Sequence, residues 1–349
     1  MTPRAGNNST LCRCIAVIFF CFARATGQVS SPTSIFSPAS TPASLLYDLS
    51  LFVLAVTGAI FLVVCGMLVY AAIKFRSRPG DDQREPLQIY GSNQLELAWT
   101  VIPVLIVLVL FLTSARIIHQ IQDANRPDGT LEVKVIGHQF WWEYQYPQYH
   151  FTTANELHVP VSNLSHPSPT FLELLSADTD HSFWIPRLAG KTDLIPNHPN
   201  STWIDPQETG VFLGQCAQYC GTQHAKMLLR VVVESRADFD RWVKEQTQAA
   251  KEDSTLSPEA REGRRVFNST ACINCHSISG TAANGRFGPD LTHLMDRKTI
   301  ASGIAENNAG NLRAWIQNPA LFKPGALMPS MNLTGKELDS VTAYMLSLQ

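Results

Sequence analysis

Two long uncharged apolar segments constrain the fold of this chain more than any other feature. Residues 49–73 and residues 97–115 contain no charged side chain, and each is long enough for a helix to cross about 30 Å of hydrocarbon. Residues 25–48 contain no Lys or Arg. Because basic residues concentrate on the cytoplasmic side of membrane helices, we expect a hairpin whose loop is inside and whose two ends are outside. The loop carries four basic side chains, at Lys74, Arg76, Arg78 and Arg84.

The amino-terminal residues have the pattern of a secretory signal. Basic residues precede a short apolar run at residues 14–23, and small residues follow it. This composition predicts a signal peptide over residues 1–28, with an uncleaved leader as the alternative. Residues 29–44 are rich in Ser, Pro and Thr, which is typical of a disordered spacer. Residues 29–120 are therefore predicted to hold this spacer and the hairpin.

After the second apolar segment the chain changes to β-type patterns. Residues 131–135 alternate apolar and polar side chains, and residues 228–233 form a short run rich in β-branched residues. Clusters of Pro and Asn separate several short segments between them, as expected for a sandwich. We therefore assign residues 121–249 to an all-β domain, which a helix at residues 236–248 would close.

A cluster of soft metal ligands lies in this β region. Cys216, Cys220, His224 and Met227 follow the pattern Cys-x3-Cys-x3-His-x2-Met, and thiolate and thioether ligands select copper over oxygen-preferring metals. A structural zinc site is the alternative, although zinc rarely takes a thioether. A mononuclear blue-copper centre needs only one cysteine, so two cysteines indicate two coppers. His181, in the run His-Ser-Phe-Trp-Ile-Pro, offers a second imidazole.

A second redox motif follows a polar linker at residues 250–257. Cys272, Cys275 and His276 form Cys-x-x-Cys-His, the attachment signature of c-type haem. In that reading the two thiols bond to the haem and the imidazole is an axial iron ligand. Taken alone, the pentapeptide also fits a redox dithiol or half of a zinc site.

The residues that follow support the haem assignment. A methionine raises the potential of a haem as its sixth ligand, and Met328 lies on a proline-rich loop after the attachment motif, with Met331 as the competing ligand. Thr334 and Glu337 are spaced as a capping box for a last helix. We therefore assign residues 258–349 to a small all-α domain. Its first and last helices are expected to pack through Gly263, Phe267 and Tyr344.

Together these motifs resemble those of subunit II of the haem-copper cytochrome c oxidases. The resemblance rests on the Cys-x3-Cys-x3-His-x2-Met loop, the His-Ser-Phe-Trp-Ile-Pro run, and the segment Glu-x2-Trp-Thr-x2-Pro that begins at Glu96. It implies a multidomain chain: a transmembrane α-helical hairpin, an all-β cupredoxin-like sandwich, and a fused class I cytochrome c domain. It also implies a binuclear copper A centre whose ligands are His181, Cys216, the backbone carbonyl of Gln218, Cys220, His224 and Met227.

The same resemblance assigns roles to residues outside the ligand set. Glu96 would lie at the mouth of a proton-uptake channel leading into subunit I, although a carboxylate at a helix start also simply favours the positive helix end. Trp142 and Phe140 would belong to an aromatic patch beside the copper, where an electron donor docks. Phe140 stands where the family's entrance tryptophan is expected, and Gln145 where a docking carboxylate is expected. Core packing is the alternative for this aromatic run.

Gln218 is a second departure from the family pattern. Many family members have a glutamate at this position, whose side chain contacts a magnesium ion shared with subunit I. The carbonyl of Gln218 can still bind copper, because that role does not depend on the side chain. A neutral amide is a weaker partner for Mg²⁺ than a carboxylate, so a magnesium site is less secure here.

The function implied is that of the electron-accepting subunit of a respiratory cytochrome c oxidase. Electrons would pass from a cytochrome c or the preceding respiratory complex to haem c and the copper pair. They would then reach subunit I, where O₂ is reduced to water with proton translocation. The expected location is a bacterial inner membrane, with the amino terminus and the carboxy-terminal domains on the periplasmic side.

Other functions fit the sequence less well. The net charge of −2 gives no indication of nucleic-acid binding. A copper A module that feeds nitrous oxide reduction would need a β-propeller, and the sequence has no repeat of that kind. A membrane-anchored copper-handling protein would have no use for the haem motif. A quinol-oxidase subunit II lacks the copper ligands that this chain carries.

Overall fold

The structure is a computed structural model that describes residues 31–76, 88, 90–162, 167–251 and 253–349. The predicted signal peptide lies outside the described residues, as do Arg78 and Arg84 of the basic loop. Within the described ranges, a helical hairpin, a β-sandwich and a small helical domain follow one another along the chain. This order confirms the predicted fold class.

The hairpin consists of two long helices, α1 (Thr41–Lys74) and α2 (Asn93–Gln122). Each extends beyond its apolar segment at both ends, and each is long and apolar enough to cross a membrane. Their apolar side chains are largely exposed within the chain, as Phe61 and Leu62 show with 65% and 71%. A continuous apolar surface of this size is stable only in lipid or against another protein.

The segment before α1 differs from the predicted disordered spacer, because it contacts the sandwich. The amide of Ala39 donates to the carbonyl of Arg187 (2.8 Å), and the Ser40 hydroxyl accepts from the amide of Asp205 (2.8 Å). The Thr41 hydroxyl donates to the Asp205 carboxylate (2.6 Å). Composition favoured disorder here, but these hydrogen bonds and the buried Ala39 fix the start of α1 against the β domain.

Among the described residues, ten strands form the sandwich as two five-stranded sheets. The strands are β1 (Leu131–His138), β2 (Trp141–Tyr146), β3 (Phe151–Ala154), β4 (Glu156–Pro160), β5 (Thr170–Ser176), β6 (His181–Trp184), β7 (Thr192–Leu194), β8 (Asn200–Ile204), β9 (Gly210–Cys216) and β10 (Leu228–Glu234). The order is β3-β2-β1-β5-β8 in one sheet and β4-β10-β9-β6-β7 in the other. Pairing is antiparallel except between β1 and β5 and between β4 and β10. This is the cupredoxin-like arrangement that was expected.

The sandwich core follows the period of two that strands impose on side chains. Along β1 the apolar residues Leu131, Val133 and Val135 are buried and the intervening residues are more exposed, as the alternating sequence predicts. A helix, α3 (Arg236–Gln246), closes the sandwich after β10. Its Trp242 stacks on His158 of β4, with ring centroids 4.2 Å apart.

The regular structure of the carboxy-terminal domain is helical apart from a hairpin of two strands with two residues each. The first and last long helices meet at Gly263, where an added Cβ would lie 1.8 Å from the carbonyl oxygen of Ser340. Next to this crossing, Phe267 and Tyr344 form an edge-to-face pair with centroids 5.8 Å apart. Both contacts confirm the predicted packing. The elements are α4 (Pro258–Ser269), α5 (Cys272–Cys275), β11 (Thr299–Ile300), β12 (Ala305–Glu306), α6 (Ala309–Gln317) and α7 (Gly335–Leu346).

The two soluble domains pack directly against each other. In the predicted linker, the amide of Ala250 donates to the carbonyl of Ser279 (3.1 Å) and Leu256 is buried. Farther along the interface, the amide of Leu228 donates to the carbonyl of Ser302 (3.2 Å). The two soluble domains therefore share an interface, and described residues of the short linker contact the carboxy-terminal domain. Sequence composition did not indicate this docking.

Candidate functional site

Sheet pairing brings the two halves of the predicted metal motif together. β6 begins at His181, and β9 ends at Cys216. The two strands are antiparallel neighbours, with Phe183 paired to Cys216. The loop that joins β9 to β10 then carries the remaining predicted ligands. Residues far apart in sequence thus meet at one end of the sandwich.

The predicted ligand atoms form one connected cluster around two sulfurs. Cys216 Sγ lies 3.8 Å from Cys220 Sγ and 3.9 Å from His181 Nδ1. Cys220 Sγ lies 3.8 Å from His224 Nδ1 and 3.9 Å from Met227 Sδ. The carbonyl oxygen of Gln218 lies 3.1 Å from Cys216 Sγ. The structure therefore brings together all six predicted ligands.

Burial and ligand chemistry decide which metal this cluster fits. His181 and Met227 are fully buried, and Cys216 and Cys220 are almost so. The side chain of Gln218 is exposed, so only its carbonyl faces the cluster. Two thiols at the centre, flanked by two imidazoles and a thioether, form a soft donor set that fits copper. The two central sulfurs are placed so that both could be shared by a pair of metals.

A carboxylate behind His181 sets which ring nitrogen faces the sulfurs. Asp178 Oδ1 lies 2.8 Å from His181 Nε2, which leaves Nδ1 directed at Cys216. Burial alone would lower the pKa of His181, but its hydrogen bonds with Asp178 and Cys216 raise it. Asp178 Oδ2 also accepts from the amide of Gln139 (2.6 Å), whose side-chain amide donates to the Cys220 carbonyl (2.6 Å). Hydrogen bonds of this kind, made by the residues behind a ligand, hold metal ligands in a fixed orientation.

The two thiols titrate as a pair. The contact between the sulfurs lowers the pKa of Cys216 to about 3 and raises that of Cys220. One thiolate therefore forms readily, and its charge holds the proton on the other sulfur. A cation bound between them would remove this constraint, because coordination to a metal deprotonates thiols.

The predicted haem residues line a cavity of about 350 Å³. Cys272, Cys275 and His276 form one side of it. His276 Nδ1 lies 2.8 Å from the carbonyl of Pro289, so this nitrogen donates and Nε2 keeps its lone pair. Burial lowers the pKa of His276, which favours the neutral, metal-binding form. An added Cβ at Gly288 would lie 2.6 Å from the His276 ring, so the backbone passes close to the imidazole.

The lining of this cavity fits a haem. Its wall is mostly apolar, and it includes the two thiols that would attach a haem and the imidazole that would be an axial iron ligand. Met328 and Met331 both line the cavity. The choice of Met328 therefore stays a prediction.

Arg297 also lines the haem cavity, although its role could not be read from the sequence. Its Nη2 donates to the carbonyl of Asp290 (2.6 Å), and it is 6% exposed. Its Nε is buried without a hydrogen-bond partner among the described residues. Burial lowers the pKa of Arg297, although an arginine stays charged at neutral pH. A buried cation with an unused donor fits an anionic group of the cavity's occupant.

The aromatic run lies between the sandwich core and the haem cavity. Trp142 is fully buried in the sandwich, edge-to-face with His181 at a centroid distance of 6.0 Å. Its burial fits the core-packing alternative, and its part in an electron-entry patch stays a prediction. Phe140 and Trp141 instead line the haem cavity together with Gln139 and Asn155 of the same domain. The copper-ligand cluster and the haem cavity thus share a wall made by the sandwich.

The remaining predicted residues lie away from these sites. Glu96 is exposed in the first turn of α2. The other end of α2 contacts the sandwich, where Trp203 Nε1 donates to the carbonyl of Ile121 (2.8 Å), so Glu96 lies at the end of the hairpin farther from the sandwich. At 1.5 Å per residue, α2 is about 45 Å long. Gln145 lines a polar cleft between the two soluble domains. Its side chain donates to Glu143 (2.6 Å) within the sandwich.

Comparison with known proteins identifies each part of the chain. The family model "Cytochrome C oxidase subunit II, transmembrane domain" matches residues 30–117, and "Cytochrome C oxidase subunit II, periplasmic domain" matches residues 131–235. The model "Cytochrome c" matches residues 260–349. The three matches correspond to the hairpin, the sandwich and the carboxy-terminal helical domain.

Similar proteins cover nearly the whole chain. The cytochrome c oxidase subunit 2 of Bacillus sp. (strain PS3) is 36% identical over 333 residues, which cover 90% of this chain and 91% of that protein. The protein of the same name from Alkalihalophilus pseudofirmus is 34% identical over 317 residues, which cover 89% and 90%. The chain therefore belongs to the cytochrome c oxidase subunit II family, with a cytochrome c domain fused at its carboxyl end.

Proposed function

We propose that this chain is the electron-accepting subunit of a bacterial respiratory oxidase. The observation that carries the proposal is the shared wall between its two candidate redox sites. Gln139 donates to the carbonyl of Cys220 in the ligand cluster, and the adjacent Phe140 lines the haem cavity. The copper pair would be held by His181, Cys216, the Gln218 carbonyl, Cys220, His224 and Met227, and haem c by Cys272, Cys275, His276 and Met328.

When bound, the haem and the copper pair would supply one-electron redox chemistry. Electrons from a cytochrome c or the preceding respiratory complex would then reach subunit I, where O₂ is reduced with proton translocation. The residues of this chain prepare the sites for that role. Asp178 holds His181 with Nδ1 facing the sulfurs, and the Pro289 carbonyl holds His276 with Nε2 facing the cavity. His181 is fully buried, which keeps water away from the copper site.

The membrane arrangement follows from the hairpin and its charges. Lys74 is the last residue of α1 and Arg76 follows it, on the side of the hairpin that we place in the cytoplasm. Both ends of the chain and both soluble domains would then lie in the periplasm. The exposed apolar surfaces of α1 and α2 provide the contact with lipid and with subunit I.

Two further roles concern partners within the oxidase complex. Glu96 lies near the cytoplasmic end of α2 in this arrangement, where a proton-uptake channel into subunit I could begin. The exposed side chain of Gln218 faces away from the ligand cluster and could contact a magnesium ion shared with subunit I. A neutral amide would make that contact weaker than a carboxylate does.

Time-resolved absorption of the purified oxidase tests the proposal. After photoreduction of the haem, we expect the c-type haem band to reoxidise as the near-infrared copper band bleaches, with the same rate constant. In Cys216→Ser, which removes a central sulfur, the haem should stay reduced on that timescale. Haem reoxidation that leaves the copper band unchanged in the native complex would refute the proposed path.

A further inference from the structure

Two lysines connect the loops that carry the ligands of the two redox sites. We call residues 217–227, between β9 and β10, the copper loop, and residues 321–328 the methionine loop. Lys323 of the methionine loop donates from Nζ to the carbonyl of Phe140 in the sandwich (2.9 Å). Lys226 of the copper loop donates from Nζ to the carbonyl of Phe322 in the methionine loop (2.8 Å). Each domain therefore contributes one lysine donor and one backbone carbonyl that accepts a hydrogen bond from the lysine of the other domain.

The two loops also touch at a turn of the methionine loop. Gly325 has φ of +85°, a conformation that favours glycine. An added Cβ at this position would lie 3.2 Å from Thr222 Oγ1 of the copper loop. A larger residue would therefore be strained by its backbone and crowded against the copper loop. The close approach of the loops depends on this glycine as well as on the two lysines.

The burial of Lys323 makes this contact selective. Lys323 is 4% exposed between the two domains, and an ammonium group removed from water is costly unless it forms hydrogen bonds. We call residues 258–349 the haem domain. Any docking position of the haem domain that displaced Lys323 Nζ from the Phe140 carbonyl would leave this charge buried and unpaired. A buried polar group of this kind discriminates against alternative geometries more than it adds affinity.

We propose that Lys226 and Lys323 form a lysine clamp that fixes a single docking geometry of the haem domain. The fused domain is then a permanent part of the redox module rather than a tethered donor that docks and leaves. Both lysines are positioning residues, since they hold Met328 and Phe140 in place through the backbone. The inference rests on the proposed function only for its effect on electron transfer, because the docking itself is a property of the protein.

Amide hydrogen exchange in the full-length protein tests the clamp without relying on electron transfer. The reporters are the amides of Leu228 and Thr299, which form hydrogen bonds across the interface. Lys226→Met and Lys323→Met remove the donor but keep the side-chain length. We expect each to speed exchange at both reporters by about ten- to hundredfold, and the double variant to speed it further.

Matched controls separate the clamp from a general effect of lost lysines. Lys244→Met on α3 and Lys336→Met on α7 remove exposed lysines from the same two domains, and exchange should stay at the native rate. Lys226→Arg keeps a donor and should preserve most of the protection. Unchanged or slower exchange in the double variant would overturn the proposal.

Electron transfer provides a second and separable result. In the double variant, haem-to-copper transfer should become slower and sensitive to solvent viscosity, because the haem domain must dock again before each transfer. If the Leu228 and Thr299 amides are protected in the native protein and exposed in the double variant, but the haem of the native protein does not reduce the copper, the clamp stands and the proposed function fails. If the double variant transfers electrons at the native rate at every viscosity, the clamp does not fix the geometry.

Discussion

Removal of the Glu156 carboxylate should release the haem domain from the sandwich. Glu156 is 2% exposed at the start of β4, and its oxygens accept hydrogen bonds from the haem domain. The donors are the amide of Lys298 (3.0 Å), the amide of Thr299 (2.9 Å) and the Thr299 hydroxyl (2.7 Å). Arg230 of β10 lies 3.5 Å away as an ion-pair partner. The carboxylate thus joins β11 to the sandwich.

The size of the effect follows from these contacts. A hydrogen bond to a charged group contributes about 1.5–3 kcal/mol, and removing one partner of a buried ion pair costs about 3–5 kcal/mol. Because the contacts share one carboxylate, their energies do not simply add. We expect Glu156→Ala to destabilise the docked state by about 3–5 kcal/mol, or about two to four orders of magnitude in the opening equilibrium. Glu156→Gln keeps one acceptor oxygen and should have an intermediate effect.

Exchange of the Leu228 amide measures this opening in the full-length protein. The Leu228 amide donates to Ser302 across the interface, whereas Glu156 accepts from the amides of Lys298 and Thr299, so exchange at Leu228 reports undocking rather than the loss of a bond to Glu156. Glu245→Ala, at an exposed position on α3, is the control. If Glu156→Ala changes exchange no more than the control does, the carboxylate does not hold the domains together.

Three further predictions concern the sites themselves. Asp178→Asn should weaken copper binding by about 10- to 100-fold, because a charged partner of His181 is lost. Competition with a copper chelator measures this affinity, and Asp180→Asn, at an exposed position, should have little effect. Met328→Ala should lower the haem potential and open the iron to carbon monoxide, and the same result in Met331→Ala alone would show that Met331 is the ligand. Burial alone would raise the pKa of Glu143, but hydrogen bonds with His138 and Gln145 and the charges of His138 and Arg286 outweigh it and hold this pKa below the ordinary value of a glutamate. Its contribution to stability is therefore complete above the ordinary carboxyl pKa and is lost as the pH falls through the lower folded pKa. Glu143→Gln should flatten this acid limb in thermal unfolding, and an unchanged limb would contradict the assignment.

The candidate ligands could be found from the sequence because most of them lie close together along the chain, in motifs with a characteristic spacing. Cys216 through Met227 lie on one loop, and Cys272, Cys275 and His276 are almost contiguous, so the motifs alone indicated the metals. The position of His181 beside Cys216 needed only the pairing of two short strands. Motifs of this kind can be recognised without knowledge of the tertiary fold.

The burial of Trp142 had a signal in the sequence. Along β2, Trp142, Tyr144 and Tyr146 alternate with polar residues and are all fully buried. The period of two predicts one inward face for these three aromatic residues. The strand geometry thus supports the core-packing alternative for Trp142, and its part in an electron-entry patch stays a prediction.

The contacts between the domains could not be predicted from the sequence. Glu156, Lys226 and Lys323 each have partners on another domain, and no local pattern marks a lysine or glutamate that will be buried by docking. The polar composition of the linker gave no indication of docking for the same reason, since it contains no information about the surfaces on either side. Asp178 and Arg297 were missed because their roles depend on tertiary neighbours.

The most direct test of the account is the metal and haem content of one chain, measured together with its spectra. Purified full-length protein should contain two coppers and one covalently bound haem per chain. Its electron paramagnetic resonance spectrum should show one unpaired electron shared by two coppers, and this signal should be lost in Cys216→Ser. One copper or one zinc per native chain, with the haem present, would contradict the assignment of a binuclear site to the cluster around Cys216 and Cys220.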